Sequence, residues 1–299
     1  MSLSIRDVEY VLAIASAGQI SAAAASLGVT QPALSKAVQR VEETLGVSIF
    51  ERAARGVVLT STGLRVLEQL QALQSAYTDT VHLVDELRAN SAGLLRVGVT
   101  DNSAKNQIVP ALSSLIAQRP GLRVKLSIDR SDGLAAQVAR GDLDLALVPI
   151  YEGQVVEAKQ TKILIDVMVP LVRASHPLAG RPSLSVRDLL PFGWLMSAPH
   201  SAAHTALTAA LAREGFSPPN VVMEVPYSSE LNLAILSQTD LVTMAPRSVL
   251  SSSGGTGFVE LGIPALRMPR TVVLLSRLEG FWSPLMEAIR ERLMARHVT

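Results

Sequence analysis

The sequence predicts an α/β multidomain chain: an N-terminal winged helix-turn-helix, a long linker helix and a C-terminal two-lobed α/β domain. Three observations carry this. Residues 21–46, SAAAASLGVTQPALSKAVQRVEETLG, break a good helix at Gly28 and rebuild it from Thr30. Residues 66–87 hold an apolar repeat that steps by alternating fours and threes. From residue 93 onward, short strand patterns alternate with helical ones. The domain boundaries fall at 1–60, 61–92 and 93–299, with lobe I at about 93–165 and 269–299 and lobe II at about 166–268.

Composition narrows the class. A 299-residue chain that is 48% hydrophobic can bury several cores. A net charge of +1 carries no bulk signal for nucleic acid or acidic partners. The chain has no cysteine, which excludes a disulfide scaffold and thiol catalysis and fits a reducing compartment. The opening MSLSIRDVEY places Asp7 and Glu9 where a signal peptide needs a basic start and then an apolar run. No stretch reaches the ~18 apolar residues of a membrane helix. The expectation is a soluble, cytoplasmic protein with no membrane partner.

Ser4 and Asp7 have capping-box spacing, and Leu3 is placed as a hydrophobic staple. Ile5, Val8, Leu12 and Ala15 recur at helical intervals up to a stop at Gly18. Ser21 is the expected N-cap of a short helix over 22–27, which Gly28 ends. Thr30 caps a third helix, and Pro32 lies in its first turn, where a missing N–H is harmless. Leu34, Val38, Val41 and Leu45 form its buried stripe. Pro32, Lys36, Gln39 and Glu43 centre the opposite face, flanked by Gln31, Ser35 and Arg40. Amide, hydroxyl and cationic side chains on one free face suit base edges and phosphates. The break at Gly28 lets this second helix of the pair turn and project, as in a helix-turn-helix.

Phe50 and Val57–Leu59 flank a turn at Arg55-Gly56, a wing from which Arg52 and Arg55 could reach phosphates or a minor groove. Residues 1–60 carry as many acidic as basic side chains, yet all the basic ones except Arg6 lie between 36 and 55. Any small three-helix domain also has capped helices and polar outer faces, so these features alone leave DNA contact and protein contact both open.

The Ala-rich second helix, VTQPALSKAVQRVEETLGVSIFER and RGVVLTSTG together resemble the LysR-type family of bacterial transcriptional regulators, and the rest of the chain is similar to it in layout. The resemblance implies a winged helix-turn-helix, a dimerising linker helix and a two-lobed effector domain. It also implies promoter DNA as partner and a small molecule that modulates transcription, commonly in a homotetramer; RNA polymerase is a further partner at a promoter. By position, base and phosphate contacts would fall on Ser21, Thr30, Gln31, Pro32, Ser35, Lys36, Gln39, Arg52 and Arg55.

Val66, Leu70, Leu73, Tyr77, Thr80, Val84 and Leu87 repeat every 3.5 residues on average, widened by Leu67 and Val81. Nothing nearby in sequence covers such a stripe, so a second copy of the chain is the economical partner, against the alternative of a helix lying on its own C-terminal domain. Asn90-Ser91-Ala92-Gly93 reads as a hinge.

Beyond it, strands at 94–100, 122–128 and 144–149 alternate with helices at about 104–118 and 134–140, which predicts a parallel sheet covered on both faces. Near Ile165 the chain passes to a second set: WLMSA, a helix over 201–214, VVMEV, a helix over 229–237 and LVTMAP. A strand at 271–277 and a helix at 284–295 return to the first lobe. Two crossovers between α/β lobes describe a periplasmic-binding-protein-like domain.

Ligands in such sheets bind beyond the C-terminal strand ends. That rule selects Thr100, Asn102, Ser103, Arg130 and Ser131 in one lobe, and Ser197, His200, Ser201, Tyr227 and Thr243 in the other. Hydroxyls and one arginine suit a small organic acid; Asp101 at the same mouth keeps a neutral or amine-bearing effector open.

His200 and His204 stand four apart without a glutamate base or a third ligand, so no metal is expected. SSSGGTG lacks the Lys-Ser/Thr ending of a phosphate loop, and no GxSxG elbow is present; neither an enzyme nor a cofactor is expected. The competing reading is a cytoplasmic small-molecule-binding or sequestering protein whose N-terminal domain mediates protein contacts.

Overall fold

Local rules build the first helices of the computed structural model, which describes residues 3–53, 56–89, 92–100, 102–199, 201–225, 230–251, 255–278, 280 and 282–295. Helix α1 (Ile5–Ala17) starts at the Ser4/Asp7 capping box, with both reciprocal hydrogen bonds present, and closes at Gly18. Its deepest side chains are Val8, Val11 and Ile14, a stripe one step round from Ile5, Leu12 and Ala15. Helix α2 (Ile20–Ser26) begins two residues earlier than the sequence reading has it: Gln19 is the N-cap and Ser21 lies inside the helix. Gly28 takes φ +65, the left-handed turn that sends the chain into α3 (Gln31–Leu45). Thr30 is the N-cap of α3, without a side-chain capping bond.

Leu34, Val38 and Val41 are buried as expected, each such side chain contributing about 1.5–3 kcal/mol. Leu45 is the correction to that stripe, being 38% exposed where the helix ends. Strands β1 (Phe50–Ala53) and β2 (Gly56–Leu59) pair antiparallel as the wing. The Glu42 carboxylate anchors its base, accepting from the Ile49 and Phe50 N–H groups at 2.6 and 3.0 Å. Helix α4 (Ser61–Ala89) follows. A Cβ on Gly63 would stand 2.0 Å from the Ile49 carbonyl oxygen, so only glycine lets α4 leave so close to the wing. Leu70 joins the core of α1–α3, with Val66 and Leu67 packed against it.

The chain divides into two units, one built on residues 1–88 and the other on 89–139 and 143–299. The second is mixed α/β. Strand β3 (Ala92–Val99) pairs in parallel with β4 (Gly121–Ile128) on one side and β5 (Leu145–Tyr151) on the other. Ala92 and Gly93 therefore belong to a strand, not to a hinge; Asn90 and Ser91 lie outside the described residues. Helices α5 (Asn102–Gln118) and α6 (Ser131–Arg140) make the crossovers.

Strand β6 (Lys159–Arg173), fifteen residues long, is absent from the sequence reading, which passes straight to WLMSA. It runs through 165, where one lobe was expected to end. Strand β7 (Trp194–Ser197) pairs in parallel with β8 (Val221–Val225) and bridges to Val242 beside β9 (Thr243–Pro246). Helices α7 (Ala202–Arg213) and α8 (Glu230–Ser237) lie between these strands, and β10 (Phe258–Glu260) precedes β11 (Met268–Ser276) and α9 (Pro284–Ala295).

The expected all-parallel sheet is corrected to a mixed one: β11 is antiparallel to β5 and β6, and β6 is antiparallel to β9 and β10. One seven-stranded sheet thus serves two sets of cores. On β11, Val272 and Leu274 face the core under α5 and α9, while Val273 and Leu275 face the core under α6. Further along, the second half of β6 packs on Trp194, Leu207 and Val242.

Candidate nucleic-acid interface and ligand cleft

The outer surface of α3 follows from its buried one. With Leu34, Ala37, Val38 and Val41 inside, Gln31, Pro32, Lys36, Gln39, Arg40 and Glu43 are exposed and Ser35 is half-buried. Ser21 on α2 and Thr30 at the turn are exposed, as is Arg52 on β1; Arg55 lies outside the described residues. Two of these polar groups have partners on the domain itself. The Gln39 amide donates to Glu43 at 3.1 Å, and the Arg40 guanidinium donates to the buried Asp7 carboxylate of α1. Burial opposes the charge on Asp7, but hydrogen bonds from the Ser4 hydroxyl and N–H and from Arg40 outweigh it and hold the carboxyl below the usual carboxylate range.

The second unit contains a cleft of about 520 Å³, within the range of small-molecule pockets. Its position follows from strand order. In one wall β3 lies between β4 and β5, and the chain leaves it toward opposite sides; in the other, β7 lies between β8 and Val242 beside β9. Each is a switch point, where diverging loops leave a crevice beyond the strand ends. Thr100, Arg130, Ser131, Ser197, Ser201 and Thr243, all selected from sequence, line this one cleft. Of the remainder, His200 and Tyr227 lie outside the described residues, as do the side chains of Asn102 and Ser103.

Sequence reasoning missed Asp129, Asp132, Glu152, Asn232 and Arg270, which share the lining. Asp129 and Asp132 flank residues that were selected and were legible by the same strand-end rule. Arg270 was not, because its place depends on β11 running antiparallel beside β6. There its guanidinium donates to Asp166 at 3.2 and 2.7 Å, with both side chains buried. Arg130, read as a docking point for an anion, donates to Asp132 at 3.2 and 2.8 Å. His204, the second imidazole of the spaced pair, hydrogen-bonds the Ser197 carbonyl oxygen at 3.0 Å. Among the described residues no cluster of three His, Cys, Asp or Glu could hold a metal, and no helix is long and apolar enough to cross a membrane.

A capped helix pair with a polar outward face, a wing and a two-walled ligand cleft define a ligand-responsive DNA-binding regulator. Family profiles agree: "Bacterial regulatory helix-turn-helix protein, lysR family" matches residues 5–64 and "LysR substrate binding domain" matches residues 88–297. The chain belongs to the LysR family of transcriptional regulators, with a DNA-binding helix-turn-helix and an effector-binding domain.

Among curated relatives, the HTH-type transcriptional regulator GbpR of Azospirillum brasilense is 29% identical over 260 residues, covering 85% of this chain and 75% of its own. CbbR of Rhodospirillum rubrum is 25% identical over 288 residues, covering 95% and 94%. Among solved structures, a full-length OxyR variant from Pseudomonas aeruginosa superposes with a TM-score of 0.66 at 20% identity, covering 98% of this chain and 95% of its own. Full-length CbnR complexed with its target DNA gives 0.60 at 20% identity, covering 98% and 99%. These structures share the fold.

Proposed function

We propose that this regulator reads promoter DNA through Gln31, Pro32, Ser35, Lys36 and Gln39 of α3. Ser21, Thr30, Arg52 and Arg55 supply phosphate or minor-groove contacts. Arg40, engaged by Asp7, serves chiefly to set α3 against α1. Residues 1–60 act as the DNA-binding domain, 61–92 as the linker and 93–299 as the effector domain, its two lobes meeting where β6 and β11 cross. The effector occupies the 520 Å³ cleft and acts by changing the angle between those lobes. The observation that carries this reading is the convergence of six residues selected from sequence on one cleft, although Thr243 begins its strand instead of following one.

Dimerisation runs through α4, where Leu73, Tyr77, Val81 and Val84 are 36–49% exposed in the single chain and form an apolar stripe. Pairing of dimers into a tetramer, RNA polymerase as a contact at the promoter and a cytoplasmic location complete the proposal.

The test is fluorescence anisotropy with DNA from upstream of the neighbouring gene against random DNA of equal length. The expected result is a specific affinity at least ~10³-fold above the non-specific one, removed by Gln31→Ala with Ser35→Ala. Equal affinity for both DNAs would sink the assignment of α3.

A further inference from the structure

Both arginines and several hydroxyls lining the cleft are engaged inside the protein. Asp132 holds the Arg130 guanidinium and Asp166 holds that of Arg270. The Thr243 hydroxyl donates to the Leu195 carbonyl at 2.8 Å, and that of Ser131 to the Pro149 carbonyl at 3.4 Å. One of the Ser197 and Ser201 hydroxyls donates to the other across 2.6 Å, which leaves the second proton over.

The two helix N-termini here would attract an anion if open, but both have occupants. Asp129 accepts from the Arg130 N–H at 2.7 Å at the start of α6, and its carboxylate lies against Gly133 in the first turn. Ser201 caps α7 by accepting from the His204 N–H at 3.2 Å. Among the charged lining groups, what remains is carboxylate lone pairs, on Asp129, Asp132 and Glu152. Against these stand only the two engaged arginines among the described lining residues. The rest of the lining mixes Thr100, Tyr151, Gln154, Thr205 and Asn232 with apolar side chains such as Met168, Leu195, Met196, Ala206 and Val225.

We propose that the cleft takes an apolar molecule whose polar end donates hydrogen bonds, an amine or a hydroxyl compound, and rejects organic acids. This rests on the cleft being the effector site. An acid would set its carboxylate beside Asp129 and Asp132 and would meet only arginines whose charge a carboxylate already offsets. Drawing Arg270 away from its partner would strand the buried Asp166 carboxylate. A donor meets ready acceptors with nothing to displace. The discrimination is therefore built from repulsion as much as from attraction.

The experiment is a thermal-shift screen of the full chain against apolar fragments divided into amines, alcohols and carboxylic acids. Ala206→Trp, which fills the cleft from α7, is screened in parallel, and a cooperative urea-unfolding transition of its effector domain shows that it folds. Ala209→Trp, at an exposed lining position, replaces it if it does not. The expected result is that amines and alcohols raise Tm for the natural chain but not for the filled one, whereas acids do neither. Asp132→Asn, which removes that counter-charge from Arg130, should then bind acids at least ~10-fold better than the natural chain. Acids that stabilise the natural chain and lose their effect in the filled variant overturn the donor-ligand proposal while leaving the cleft reading intact. If no fragment distinguishes the natural chain from the filled one, the cleft itself fails as the effector site.

Discussion

Arg40, on the helix proposed to read DNA, donates to the buried carboxylate of Asp7 two helices earlier. The same carboxylate closes the capping box at Ser4, with its oxygen accepting from the Ser4 N–H at 3.1 Å and the hydroxyl at 2.7 Å. One side chain thus starts α1 and ties α3 to it.

Asp7→Asn should weaken the helix-turn-helix by about 1–3 kcal/mol, read as faster amide exchange across α1 and α3 in the full chain. The native carboxyl titrates below the ordinary value near ~3.9, so its stabilisation is fully present above that value. It is lost as pH falls through the lowered native value. The stability gap between the natural chain and the Asp7→Asn variant should close over that acidic window and stay constant toward neutrality. A gap that widens on acidification would contradict the ion pair.

Removing Lys36, exposed on α3 next to the half-buried Ser35, should weaken binding to all sequences alike. Its signature is a fall of about 1 in the slope of log affinity against log salt. Gln31→Ala should instead cost about 1–3 kcal/mol on the specific site alone and leave the slope unchanged. A salt slope unaltered by Lys36→Ala would take that residue off the phosphate backbone.

The buried pair on the crossing strands, Asp166 with Arg270, makes a stability prediction independent of DNA. Asp166→Ala leaves a guanidinium buried without a counter-charge and should cost about 3–5 kcal/mol in urea unfolding of the effector domain. Replacing both, Asp166→Leu with Arg270→Met, should recover most of that loss. If the single change is as mild as the double, the pair is not desolvated in solution.

Glutamate at Leu73 and Tyr77 puts charge into the exposed seam of α4 without touching Leu70, which is buried against the DNA-binding core. Analytical ultracentrifugation should find the natural chain dimeric or larger and the variant monomeric, with specific DNA affinity reduced in step. A variant that keeps the natural mass would place the dimer contact elsewhere.

Helix starts and stops were legible from the residues because they are short-range events. The Ser4 box, the left-handed Gly28 and the proline in the first turn of α3 involve groups only a few positions apart. Strand ends were legible for the same reason, and with them Thr100, Ser131, Ser197 and Ser201; Thr243 was expected after a strand and instead begins β9. Tertiary structure alone decided the direction of β6 and β11, because antiparallel pairing is set by which distant strand arrives beside which. It also decided which carboxylate Arg40 and Arg270 each meet. The partner of Arg40 is 33 positions away and that of Arg270 is 104, and no local pattern fixes which carboxylate folding brings to them. A charge counted in the chain becomes available to a ligand only if folding leaves it unpaired, and that is a property of the packed molecule.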